Sequence, residues 1–367
     1  MPSPRVLFLL GNFCGVPFGG YKMIYQYANG LAAAGFSVTL AYAAYPHEKT
    51  LRGRAYDVLR TGYHWIRGWT RHCPWFPLDP SIRQILRWTH REALEPRADI
   101  AIATACRTAA PLAAFKQIPP QRKFYFIQGF ETFTLPEPEL RATFRLPMQK
   151  LVIASWLRAK VEEEGQSAIL LPNGYDGSFQ LSRPPADRPQ ASVCALYGEG
   201  WSKDWPTTLQ TLLLLRRARP DIQATVFGIG ARPPGLPAWA TYVRRATVAQ
   251  LNEIYNSSAI FLGTSVQEGW GLPVGEAMRC GAAVVCTDNG GYAEMAIPGQ
   301  TALVVPARNP DALAAAALRL VEHPDLRIRL AMAGHAHIQQ FSLQRSIDQL
   351  ATLLRNSLIE TRGCNPG

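Results

Sequence analysis

The sequence predicts two doubly wound α/β domains in tandem, and three observations predict it. Short, nearly continuous apolar runs alternate with stretches of helical period from residue 5 to residue 307. Runs of that kind are parallel strands buried on both faces. The alternation is broken once, at SFQLSRPPADRPQA (178–191), which holds three prolines and no periodic pattern and reads as an interdomain linker. Finally, 367 residues is long for one core and enough for two.

The elements follow in order. RVLFLL (5–10) leads to a helix over 21–34, closed by Gly35, and then to FSVTLAYA (36–43). A helical stretch of roughly 48–95 comes next, its second helix starting at Asp79 as N-cap with Pro80 in the first turn. The strands DIAIATA (99–105), KFYFIQ (123–128), KLVIAS (150–155) and AILLPN (168–173) complete the first domain. Beyond the linker come SVCALYG (192–198), a helix over 207–218, IQATVFGIG (222–230) and a helix near 247–256. AIFLGTS (259–265), a helix from Pro273, AAVVCTD (282–288) and ALVVPA (302–307) follow. Three closing helices start at Asn309–Pro310, Pro324–Asp325 and Ser342. Ligands of such sheets bind at the carboxyl ends of strands, so two domains facing each other would form a central cleft.

Composition narrows the class. A hydrophobic content of 47% with 18% charged residues describes an ordered globular chain. No apolar run approaches the roughly 20 residues of a membrane helix, and Val6–Leu10 is shorter than a signal-peptide core. Seven cysteines without a CxxC pair suit a reducing cytosol, where they serve as core filler. The net charge of +11 is unevenly spread: 22 Lys and Arg stand against 13 Asp and Glu up to residue 185, and 16 against 14 beyond it. Residues 51–97 interleave nine arginines with Trp65, Trp69, Trp75 and Trp88. That combination suits an anionic membrane surface or an anionic lipid-linked substrate, and equally a solvated basic face whose tryptophans pack inward. No nucleic-acid motif accompanies the charge.

The candidate chemistry centres on EGWGLPVGEAMRCG (268–281). Pro273 is suited to a helix start directly after Gly269–Trp270–Gly271, which places Glu268 on the loop beyond a strand and Glu276 in the first helical turn. Glycines allow close backbone approach and a helix start favours an anion. Each carboxylate is able to hold a sugar diol; alternatively Glu276 complements the helix dipole and Glu268 is solvated.

The whole pattern resembles the E-x7-E signature of retaining glycosyltransferase family 4. The resemblance continues through AAVVCTDNGGYAEMAIPGQTALVVPARNPDALAAA, and in the first half through FGGYKMIYQYANGLAAAGFSVTL, ASWLRAKVEEEG and LPNGYD. It implies a GT-B fold of two Rossmann-like domains facing a central cleft. The acceptor-side domain would span 1–180, the linker 181–191, the donor-nucleotide domain 192–341, and a C-terminal helix 342–361 would return toward the first domain. By the same resemblance Glu276 would bind the nucleotide ribose and Glu268 the donor sugar. The backbone of Gly269, Trp270, Gly271 and Leu272 would meet the sugar or diphosphate. Gly19 and Gly20 would let the first domain approach the diphosphate, and Arg244, within the stretch Val243–Arg245, would lie at the base.

Two departures stand out. In LYGEGWSKDWPTTL, Lys203 matches the lysine that neutralises the departing diphosphate, but the accompanying arginine's place falls at Gly198 or Glu199. A histidine usual after the strand at 123–127 is replaced by Gln128, which is able to hydrogen-bond a hydroxyl but not to act as acid or base. Glu131 is either an acceptor-side base or a helix cap. The FIQGFE segment resembles enzymes making rhamnose-containing polysaccharides. The implied reaction is a retaining transfer with no metal, from a UDP-, GDP- or dTDP-sugar to a glycan or lipid-linked acceptor. The expected location is the cytoplasm, peripheral at the inner face of a membrane.

Rival readings share the architecture. A nicotinamide dehydrogenase needs GxGxxG between strand and helix; Gly11–Gly15 is wrongly spaced, and Gly228-Ile-Gly230 lacks the third glycine. A GT-B protein reduced to a scaffold or binding role is the other, motivated by the missing arginine.

Overall fold

The computed structural model describes residues 3–11, 17–43, 59, 62–63, 75–87, 90–94 and 97–360. The chain divides into two compact units. One comprises residues up to Asn173 together with those from Gln344 onward, the other Gly174–Leu343.

The first unit is built on a parallel sheet of β1 (Arg5–Leu10), β2 (Ser37–Ala43), β3 (Arg83–Arg87), β4 (Ile100–Ala103), β5 (Lys123–Ile127), β6 (Gln149–Val152) and β7 (Ala168–Leu170). The strand order is β3-β2-β1-β4-β5-β6-β7. Its described helices are α1 (Gly19–Ala33), α2 (His90–Leu94), α3 (Cys106–Ala114), α4 (Glu137–Phe144) and α5 (Ser155–Glu162). Val6 to Leu10 are each at most 1% exposed, as a strand covered on both faces requires. Gly35 ends α1 with a positive φ of 88°.

The second unit repeats the scheme with β8 (Ser192–Tyr197), β9 (Gln223–Gly228), β10 (Ala240–Arg244), β11 (Ile260–Gly263), β12 (Ala283–Asp288) and β13 (Ala302–Pro306). These parallel strands lie in the order β10-β9-β8-β11-β12-β13. The helices are α6 (Trp205–Ala218), α7 (Val248–Ser257), α8 (Leu272–Arg279), α9 (Pro310–Glu322) and α10 (Pro324–Ile338). The side chain of Asn309 caps α9 by accepting the Ala312 N–H at 3.0 Å. Both sheets thus have the 3-2-1-4-5-6 order of a Rossmann-like domain, the first with one strand added. Helix α11 (Leu343–Glu360) runs from the second unit onto the first. There Ile347 lies against Gly30, and Arg355 donates to the Ala34 carbonyl at 2.7 Å.

The helix expected from Asp79 is a turn followed by strand β3. Asp79 accepts from the Ser81 N–H at 2.8 Å, and the Asp79 N–H donates to Asn29 on α1 at 2.9 Å. Ile82, Ile85 and Leu86 are buried while both flanking arginines sit at the sheet edge, a placement that β-pairing with β2 satisfies. Arg52, Arg54, Arg60, Arg67 and Arg71 lie outside the described residues, as do Trp65, Trp69 and Trp88.

The proline-rich segment expected as a linker belongs to the second unit and is tied to it. Asn256 accepts from the Ser182 N–H at 2.8 Å and donates to the Gln180 carbonyl at 2.9 Å. Arg188 is 3% exposed, and its guanidinium donates to the carbonyls of Tyr255 and Ser258, each at 3.0 Å, of Arg183 at 2.8 Å, and of Cys280. Burial pulls its pKa down to about 10, so it remains charged. Arg188→Met is expected to destabilise this unit by roughly 3 kcal/mol, because several buried carbonyls lose their donor at once. Urea unfolding followed by tryptophan fluorescence measures this, and a loss below about 0.5 kcal/mol would contradict it.

Candidate functional site

In the second unit the chain leaves β8 toward β9 and β10 on one side, then returns to β11 on the other. The carboxyl ends of β8 and β11 therefore flank a topological switch point, where such sheets bind ligands. From β8 the chain passes Gly198–Gly200 and a 3-10 turn, Trp201–Lys203, before Asp204 at φ 49° opens α6. From β11 it passes Thr264–Gly271 into α8. The two exits are laced together. The Val266 N–H donates to the Ser202 carbonyl at 2.7 Å, and the hydroxyls of Thr264 and Thr208 meet at 2.6 Å.

This lacing brings Lys203 and Glu268 into contact. The lysine Nζ lies 2.5 Å from Glu268 Oε1, and the Ser265 hydroxyl donates to the same oxygen at 2.7 Å. Both side chains are partly buried, at 28% and 14% exposure, so the pair is shielded more than a surface ion pair yet open to a ligand. Glu268 is thus neither solvated nor isolated. Gly271, at φ 91°, turns the loop into α8 in a conformation that disfavours any side chain, and a Cβ there would overlap the Tyr292 ring.

Helix α8 starts at Leu272, with Pro273 second. That moves Glu276 past the first turn, where the dipole no longer holds it. Its side chain is buried, and Tyr255 on α7 donates a hydroxyl to Oε2 at 3.2 Å. Burial, and then the negative charge of Glu276, push the Tyr255 hydroxyl well above its ordinary pKa, so it remains a donor. Trp270 is 2% exposed, so at this position the loop offers backbone and not the indole. Arg244 ends β10, exposed, its Nε donating to the Ile229 carbonyl at 3.4 Å. It shares no contact with Lys203 or Glu268 among the described residues. Glu199 lies exposed at the end of β8, its carboxylate lying against Gly230.

The first unit holds the remaining expected residues. Gly19 and Gly20 are the opening residues of α1, and a Cβ on Gly20 would lie 3.6 Å from the Gln128 amide. Gln128 donates to the Thr104 carbonyl at 3.5 Å, and its Oε1 is buried without a hydrogen-bond partner among the described residues. Glu131 caps a helix: its Oε2 accepts the Cys106 N–H at the start of α3, at 2.8 Å. Burial raises its pKa.

Three contributors went unassigned in the sequence. Ser265 stands three residues before Glu268 at a strand exit, a spacing that could have flagged it. Gly291, in the DNGG turn, touches the Glu268 backbone closely, and its double glycine was a signal. Tyr255 sits in the last turn of a helix with no local mark.

The two units together define the GT-B architecture. Residues 193–323, which include both glutamates and Lys203, match the model of the family glycosyl transferases group 1. A D-inositol 3-phosphate glycosyltransferase of Rhodococcus erythropolis is 29% identical over 142 residues, 39% of this chain and 31% of the relative. The chain matches less than a third of the length of such curated relatives. Among solved structures, the sucrose-phosphate synthase of Thermosynechococcus elongatus superposes with a TM-score of 0.72 at 17% identity, covering 96% of this chain and 99% of that one. HepE of Anabaena, in complex with UDP-glucose, gives 0.72 at 14% identity, covering 96% and 99%.

Proposed function

We propose that this protein is a glycosyltransferase that moves a sugar from a nucleotide-sugar donor to a hydroxyl of a glycan or lipid-linked acceptor, with retention and without a metal. The observation that carries the reading is the Lys203–Glu268 pair at the switch point, with buried Glu276 one helix turn beyond, all inside the segment matched by the family. A structural neighbour in complex with UDP-glucose supports the donor class.

In this reading Glu276 accepts hydrogen bonds from the ribose and Glu268 from the donor sugar. Lys203 and the starts of α6 and α8 stabilise the diphosphate as the anomeric C–O bond breaks. The acceptor oxygen bonds the anomeric carbon on the same face and passes its proton to the leaving diphosphate. The residues position and stabilise charge; none is asked to move a proton.

The test is a panel of UDP-, GDP- and dTDP-sugars, with hydrolysis or transfer read by mass spectrometry and the product's anomeric configuration checked. One donor should be consumed with retained configuration, in the presence of EDTA. Loss of turnover in EDTA, restored by a divalent ion, would refute metal independence. Donor binding without turnover would favour a non-catalytic scaffold, and stabilisation by NAD alone a dehydrogenase.

A further inference from the structure

Between Glu268 and Glu276 the loop has glycines at 269 and 271, so its own side chains give it little to be held by except Trp270. The indole is fixed from two sides. Its Nε1–H donates to the Tyr175 hydroxyl at 3.1 Å, and its ring meets Phe341 edge-on, with centroids 5.1 Å apart. Tyr175 and Phe341 are in turn locked to each other: the Tyr175 N–H donates to the Phe341 carbonyl at 2.9 Å, and the Leu343 N–H to the Tyr175 carbonyl at 3.1 Å. The Tyr175 hydroxyl also reaches α8. It points to the Met295 sulfur at 3.1 Å and presses on Gly275, where a Cβ would overlap it. Gly275 immediately precedes Glu276.

We propose that Tyr175 is a positioning residue of the donor site, its hydroxyl setting the loop at Glu268 through Trp270 and the backbone at Glu276 through Gly275. A buried indole N–H needs an acceptor, and at this place the Tyr175 oxygen provides it. Without that oxygen the indole tilts to find another, and the Gly269 and Gly271 backbone on either side of it shifts with the ring. Burial, and then the negative charge of Glu276, keep the Tyr175 hydroxyl protonated, so it accepts from Trp270 while donating to sulfur. The proposal rests on the donor reading given above. It adds a residue outside the family-matched segment that shapes the site from beneath.

The experiment compares the full chain with Tyr175→Phe by hydrogen exchange and by kinetics. Amides of 266–278 should exchange roughly tenfold faster, donor KM should rise about tenfold, and acceptor KM should stay unchanged. Unchanged exchange in 266–278 overturns the proposal. So does faster exchange with unaltered donor KM, because a merely structural tyrosine would lower the active fraction and leave both KM values alone. Should Tyr175→Phe fail to fold, Trp270→Phe removes the same hydrogen bond from the other end and should give the same local exchange. Glu276→Gln is the control for the donor reading. Wild-type donor affinity in that variant would sink the ribose assignment, while the exchange comparison, which needs no donor, still judges Tyr175.

Discussion

Glu276→Gln is expected to weaken nucleotide-sugar binding by roughly 10- to 100-fold while leaving the fold intact. A carboxylate hydrogen-bonded to a diol contributes charge-assisted bonds worth about 1.5–3 kcal/mol, and tenfold in affinity is about 1.4 kcal/mol. Glutamine preserves an acceptor for the Tyr255 hydroxyl, which lies 3.2 Å from Oε2, and keeps the volume of a buried side chain. Alanine would lower affinity further but also strand that buried hydroxyl, at about 1–3 kcal/mol of stability, so the two variants separate recognition from folding. Titration calorimetry with the donor found by the panel gives the affinity, and urea unfolding gives the stability. Wild-type affinity in Glu276→Gln would mean that this carboxylate serves only Tyr255 and the packing of α7 on α8.

Much of the architecture was legible because parallel strands buried on both faces are local signals. RVLFLL and AIFLG are apolar at nearly every position, and burial of that kind leaves no room for a polar face. What was illegible depended on distant partners. RQILR carries arginines at both ends, and Asp79–Pro80 before it has the chemistry of a helix start; only pairing with β2 makes it an edge strand. The prolines of 178–191 suggested an interdomain linker, yet Arg188 finds carbonyls 67 to 92 positions away. At the site the same division holds. Glu268 and Lys203 were both legible from the family pattern, but as separate contacts to sugar and diphosphate. Their pairing across 65 residues is a product of the switch-point topology. The single-residue shift in the start of α8 also mattered. It took Glu276 out of the first turn, and the Tyr255 hydroxyl, not the helix dipole, is a donor to it.

That pairing gives the second large expectation, which has opposite signs at two neighbouring residues. Lys203→Ala should lower the turnover number by roughly 10²- to 10³-fold, the usual loss when a positioned donor to a developing negative charge is removed. Glu268 engages the ammonium at 2.5 Å, so in the proposed reading the donor's sugar and diphosphate divide the pair between them. Glu268→Gln therefore provides a control: it frees the lysine, and should weaken sugar recognition without the full loss of turnover. The family resemblance puts an arginine's place at Gly198 or Glu199, and as the leaving group gains charge a carboxylate at that place opposes it. Glu199→Gln should accordingly raise turnover, by a modest two- to fivefold because the group is exposed and screened by solvent. Glu199→Arg should raise it further. Steady-state kinetics at low and high salt decide the matter: a repulsive carboxylate gives a gain that shrinks with added salt. A loss of turnover in Glu199→Gln would instead make this residue a direct hydrogen-bond partner of the substrate. The departure from the family pattern would then be a feature of its specificity, with charge repulsion outweighed by the bond it forms.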